Sequence, residues 1–247
     1  MDLGLKGRTA LVCGASSGLG LATAEALSAE GANVTMFARR RDELERRADR
    51  IGALAVRGDV TLPQDTDRAV ATTLEAFGGL DILVWNSGGP TPGTGTAITP
   101  DSLEQAVELM LQPAVRLVQA CLPHLERSEG GRIVAITSLA AKEPTAHLGL
   151  SNMLRPAVHG YLKTLADELG PKGITVNCVA PGRIATARLE QLYPDGPTEG
   201  QLTEIPLRRW GQPEEFGDVV CFLASERARY VSGQTIVVDG GLQRALF

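Results

Sequence analysis

Short apolar runs rich in β-branched residues recur along the chain, at 9–13, 33–38, 53–57, 80–85, 132–137, 175–179 and 235–238. Runs this continuous read as strands covered on both faces rather than as half-exposed strands. The stretches between most of them are helical in pattern, about 18–30, 41–51, 64–77, 101–127, 152–170 and 213–224. Strand alternating with helix is the signature of βαβ units and a parallel sheet. Right-handed crossovers leave few ways to wind such a chain. The expectation is therefore an α/β fold: one Rossmann-type, doubly wound parallel sheet of about seven strands with helices on both faces, formed by 1–247 as a single domain. A chain of 247 residues buries enough apolar surface to need no disulfide or metal for its core.

Boundaries carry physical punctuation. Thr99-Pro100-Asp101 supplies an N-cap, a proline at the first helical position and an acid that favours the helix dipole. Gln212-Pro213-Glu214-Glu215 repeats the proline and the acids. The stretch 101–127 is apolar on nearly every side, as in a helix packed between the sheet and a second subunit, so a homodimer or homotetramer is expected. Pro113 frees the carbonyl of Leu109, which predicts a kink within 109–113. The long irregular segment 182–206, with Gly196, Pro197 and Gly200, is expected to be a substrate lid.

Charge and composition exclude several classes. A net charge of −5, a pI near 5.3 and the lack of a basic stripe argue against nucleic acid as partner. Cys13, Cys121, Cys178 and Cys221 show no CxxC or zinc spacing and read as buried reduced thiols, the pattern of a cytoplasmic protein. No apolar stretch approaches the roughly 18 residues of a membrane span, and MDLGLKGR has no apolar signal core. His124, His147 and His159 lack metal-ligand grouping, so no metal site is expected.

The run Gly14-Ala15-Ser16-Ser17-Gly18-Leu19-Gly20 follows the first strand and opens the first helix. Glycines there let backbone approach a pyrophosphate, whose charge the helix N-terminus stabilises. Tight turns also use such a trio; its place after strand one of a βαβ chain favours nucleotide binding.

These features, taken along the whole chain, resemble the short-chain dehydrogenase/reductase family, most nearly its 3-oxoacyl-[acyl-carrier-protein] reductase type. The family's TGxxxGxG is similar to Cys13-Gly14-Ala15-Ser16-Ser17-Gly18-Leu19-Gly20, with cysteine in place of threonine. Asp59-Val60 resembles its adenine-side pair, and Asn86-Ser87-Gly88-Gly89 its altered NNAG stretch. Pro181-Gly182, Ile184 and Thr186 resemble the nicotinamide-side loop, and Val238-Asp239-Gly240-Gly241 the C-terminal signature. The resemblance implies that Gly14, Ser16, Ser17, Gly18, Leu19, Gly20, Asp59, Val60, Asn86, Gly88, Pro181, Gly182, Ile184 and Thr186 line a dinucleotide site.

Charge bears on which dinucleotide. NAD-preferring folds place a carboxylate near the end of strand two, where this chain has Ala38 followed by Arg39 and Arg40. A guanidinium there can pair bidentately with a 2′-phosphate. NADP(H) is favoured over NAD(H); the plainer reading is a pair of solvated arginines.

The resemblance further implies a catalytic set of Asn, Ser, Tyr and Lys. Serine falls on Ser138, at the end of the 132–137 strand. The YxxxK motif, thirteen residues on, reads Ser151-Asn152-Met153-Leu154-Arg155, and the asparagine position falls on Met110. A general acid contributes roughly 100- to 10,000-fold, and an aliphatic hydroxyl such as Ser151 is a far weaker acid than tyrosine. Arg155 can bind the cofactor ribose but stays protonated. Pro156 disfavours helix at Arg155, so a late start or kink is expected there. His147, four residues before Ser151, is a candidate replacement acid against the plainer reading of a loop histidine. Tyr193 reads as lid packing, and Tyr161 as core or interface.

The expected function is an NADP(H)-dependent carbonyl reductase or alcohol dehydrogenase acting on a small molecule through a non-standard site. A non-catalytic NADP(H)-binding sensor or scaffold is the alternative, and a structural homo-oligomer without cofactor the third reading.

Overall fold

The computed structural model describes residues 1–246. Seven parallel strands form one sheet in the order β3-β2-β1-β4-β5-β6-β7. They are β1 (Thr9–Cys13), β2 (Asn33–Ala38), β3 (Leu54–Arg57), β4 (Ile82–Asn86), β5 (Arg132–Ile136), β6 (Thr175–Pro181) and β7 (Thr235–Val238). The helices are α1 (Gly18–Ala29), α2 (Arg41–Ile51), α3 (Pro63–Phe77), α4 (Pro100–Met110), α5 (Gln112–Leu125), α6 (Gly149–Leu169), α7 (Ala187–Leu192), α8 (Glu199–Glu204) and α9 (Pro213–Ala224).

The two-sided strands explain the layers. Ala10 and Val12 of β1 pack with α1, α2 and α9, through Leu21, Leu27, Leu44, Phe216 and Val220. Their neighbours Leu11 and Cys13 pack on the opposite face with α3, α5 and α6, through Val70, Leu117, Val118, Val158 and Leu162. The chain reverses winding between β3 and β4, so the carboxyl ends of β1 and β4 flank a crevice, the usual ligand position in such sheets.

Two expectations about helices are corrected or sharpened. The stretch 101–127 is two helices, with the break at Leu111 and Pro113 in the first turn of α5; this is the kink expected from that proline. By contrast, α6 starts early and runs through Pro156. The ring removes one backbone hydrogen bond, a cost of about 3 kcal/mol. Burial of Leu150, Leu154, Val158 and Leu162, at roughly 1.5–3 kcal/mol each, outweighs it. The 182–206 segment contains the short helices α7 and α8 rather than being wholly irregular.

Cys13, Cys121, Cys178 and Cys221 are buried and free. Among the described residues no helix is long and apolar enough to cross a membrane, and no group of three metal-ligating side chains gathers.

Candidate active site

One cavity of about 670 Å³ runs from the glycine-rich turn to the start of α6. At its first end, Gly14 and Gly18 hold φ of 63° and 58°, the left-handed backbone that glycine adopts without strain. A Cβ on Gly14 would stand 2.6 Å from Asn86 Nδ2, and one on Gly20 would collide with the Gly14 carbonyl. The glycines therefore set how closely α1 and β4 approach the turn. Ser17 caps α1 without a side-chain bond, and Ser17, Gly18 and Leu19 at this helix start line the cavity. Beside them Arg40 Nη2 donates to Ser17 Oγ at 2.6 Å, and Arg39 Nη1 lies 3.8 Å from Asp59 Oδ2. Both arginines are exposed and line the cavity.

The other end is built by β5 and α6. Ser138, two residues beyond β5, accepts from Ala140 N–H at 3.1 Å and lines the cavity. Ser151 and Arg155 are one turn apart on α6, both buried and both lining it. The Arg155 Nη1 donates to Ile136 O at a long 3.4 Å, while its Nε has no partner. Burial alone pushes this guanidinium down to about 10. One turn further, His159 Nε2 meets Thr137 Oγ1 at 2.8 Å and Nδ1 meets Thr235 Oγ1 at 3.3 Å. Burial first, then the charges of Arg155 and Lys142, push this imidazole down to about 4.

A family model described as enoyl-(acyl carrier protein) reductase matches residues 14–243. Dehydrogenase/reductase SDR family member 4 of Oryctolagus cuniculus is 35% identical over 244 residues, covering 96% of this chain and 94% of the relative. Nodulation protein G of Rhizobium sp. (strain N33) is 37% identical over 242 residues, covering 96% and 98%. The chain belongs to the short-chain dehydrogenase/reductase family. Solved structures agree. L-sorbose reductase from Gluconobacter frateurii, complexed with NADPH and L-sorbose, superposes with a TM-score of 0.92 at 33% identity and full coverage of both chains. YwfH, an NADPH-dependent reductase involved in bacilysin biosynthesis, superposes at 0.93 with 28% identity, covering 97% and 99%.

Within this short-chain dehydrogenase/reductase frame, most residues singled out in the sequence converge on one cavity. Gly14, Ser16, Ser17, Gly18 and Leu19 line it from the turn, and Asp59, Val60, Asn86 and Gly88 from β3 and β4. Pro181, Gly182, Ile184 and Thr186 close it from β6 onward. Gly20 does not line it; its part is close packing on Gly14. Met110, where the resemblance implies an asparagine, is fully buried in an apolar cluster with Ala106, Leu150 and Leu154.

His147 lies outside the cavity wall, as in the plainer reading of a loop histidine. It is exposed with φ of 59°, and its carbonyl accepts from Gly93 N–H at 2.8 Å. The loop turns it outward because the turn is held from elsewhere: the Asn152 amide accepts from Thr145 N–H and donates to Thr145 O, each at 2.9 Å. Tyr193 lines the cavity and packs on Trp210 with ring centroids 6.0 Å apart. Tyr161 packs half-buried against the α3–α5–α6 core.

His159, weighed in the sequence only as a metal ligand, sits on the same helix face as Ser151 and Arg155 but outside the cavity wall. The signal for this shared face of α6 was the spacing 151, 155, 159.

Proposed function

We propose that this protein is an NADP(H)-dependent oxidoreductase of small carbonyl or alcohol compounds, with a remodelled proton-transfer centre. One observation carries the reading: the glycine-rich turn and the Ser138–Ser151–Arg155 group open into the same cavity. The turn fits a dinucleotide, since left-handed Gly14 and Gly18 line the cavity and glycine at 14 and 20 lets α1 and β4 pack close against the turn. Arg39 and Arg40 line the cavity just after β2, whose last residue is not a carboxylate, and guanidiniums able to pair with a 2′-phosphate support NADP(H) over NAD(H). The NADPH named for L-sorbose reductase and YwfH supports the same choice.

NADPH supplies the hydride when bound. Ser138 donates a hydrogen bond to the carbonyl oxygen and so polarises it. Arg155 would hold the ribose hydroxyls of a bound cofactor and would present fixed positive charge beside the substrate oxygen. With neither tyrosine nor His147 in place, the proton reaches that oxygen from water held at Ser151. Such a route lacks an acid matched to neutral pH, so turnover of simple ketones is slow.

The second reading, a non-catalytic NADP(H)-binding protein, rests on Met110 and its apolar neighbours occupying the place of a proton relay. Fluorescence titration with NADPH and NADH, followed by NADPH oxidation assays on ketones, 3-oxoacyl thioesters and quinones, separates the two. Turnover of any substrate supports the first reading; binding without turnover supports the second.

We also propose assembly with further copies of the chain, as a dimer or tetramer. Phe222 on α9, Ile236 on the edge strand β7 and Tyr230 between them are exposed apolar groups on one stretch of chain. Light scattering after gel filtration tests it; a monomer at micromolar concentration would contradict it.

A further inference from the structure

We infer that the substrate end of this cavity is a carboxylate site: the native substrate is an oxo acid, or the matching hydroxy acid, whose anion pairs with Arg155. The inference rests on the oxidoreductase reading for the word substrate; the anion site itself stands on geometry.

Arg155 is 6% exposed, yet among the described residues no carboxylate acts on it. Its single hydrogen bond, to Ile136 O, is long, and its Nε is unpartnered. Buried cations are ordinarily paired, because the desolvation of an isolated charge is otherwise uncompensated. The nearby titratable groups that act on α6 here, Lys142 and His159, are a cation and a neutral imidazole and cannot balance it. Among the cavity-lining residues the one carboxylate is Asp59, which lies at the cofactor end beside Arg39. Arg188, at the mouth beside Gly89, makes its hydrogen bond to Pro90 O at 3.2 Å and has no carboxylate partner among the described residues. Positive charge therefore leads inward from the mouth and ends on a guanidinium with donors to spare.

The ribose hydroxyls of a bound cofactor are neutral and leave that charge unbalanced. A carboxylate balances it and accepts two parallel N–H bonds from one guanidinium, a match that a lysine in the same place would lack. Serine at 151 leaves open, one turn away on the same face, the volume that an aromatic ring would take. The arginine and the serine are thus two parts of one change, from a proton-donating wall to an anion-holding one.

Calorimetric titration with pyruvate, acetoacetate and levulinate, each against its methyl ester, tests this with NADP+ bound and again without it. The expected result is that at least one acid binds about tenfold or more tightly than its ester. Arg155→Met should abolish that difference by weakening acid binding far more than ester binding, and Arg155→Lys should keep part of it. Equal binding of acids and esters to the native protein overturns the inference, as does an equal loss of both in Arg155→Met, or no binding of any acid. Preference for hydroxyacetone phosphate over every carboxylate would overturn the oxo acid in favour of a phosphate. Should Arg155→Met not fold, the acid–ester comparison in the native protein and Arg155→Lys decides. Failure to bind NADPH with acid discrimination intact would overturn the oxidoreductase reading and leave the anion site standing.

Discussion

His159 lies one turn beyond Arg155 on the same face of α6, and the guanidinium adds to burial in holding the imidazole neutral, down to about 4. In the unfolded chain this histidine would protonate near its ordinary value of about 6.5. Between these values the unfolded state binds the extra proton, so stability is complete above pH 6.5 and falls as pH drops toward 4. The slope contributed is at most about 1.4 kcal/mol per pH unit. Thermal melts from pH 7.5 to 4 should show this decline, and His159→Gln, which keeps a partner for Thr137, should flatten it. An unchanged profile in the variant would place the titration elsewhere.

Arg155→Met should raise stability. The substitution removes a buried charge without a counter-ion and keeps much of the volume, and the gain should be roughly 1–3 kcal/mol. Denaturant unfolding reads it directly. A large loss of stability would mean that the guanidinium is a structural tie and not a group kept for a ligand.

At the opposite end, Gly20→Ala places a methyl against the Gly14 carbonyl. Either α1 shifts or the turn distorts, at about 1–3 kcal/mol for such overpacking. NADPH affinity should fall by about tenfold or more, with far-ultraviolet circular dichroism unchanged. Retained affinity would show that the turn does not set cofactor approach.

Ser151→Tyr combined with Arg155→Lys restores a tyrosine acid beside a lysine on one face of α6. The gain in turnover of simple ketones should approach the roughly hundredfold lower end of general acid catalysis, since Met110 still lacks a relay. Stopped-flow absorbance at the nicotinamide band measures it. No gain at all would place the block in substrate binding instead.

The fold was legible because the strands announce themselves twice, as apolar runs and as spacers between helices. Sheet order, the glycine turn and the kink at Pro113 follow from local rules that tertiary packing reinforces. Pro156 misled because its effect on one hydrogen bond is local, whereas the four leucine and valine contacts that keep α6 continuous come from elements distant in sequence. The place of His147 was open for a similar reason: its backbone is left-handed and Asn152 grips Thr145, neither of which a loop composition displays. That no carboxylate among the described residues pairs with Arg155 was beyond sequence altogether, since it depends on which charges the fold leaves out of reach.

The most direct test of the account is the affinity ratio of NADPH to NADH, measured by fluorescence for the native protein and for Arg40→Glu. The account predicts that NADPH binds about tenfold to a hundredfold more tightly, and that reversing the charge beside Ser17 erases the preference. Equal or tighter binding of NADH to the native protein, or no binding of either, would contradict it.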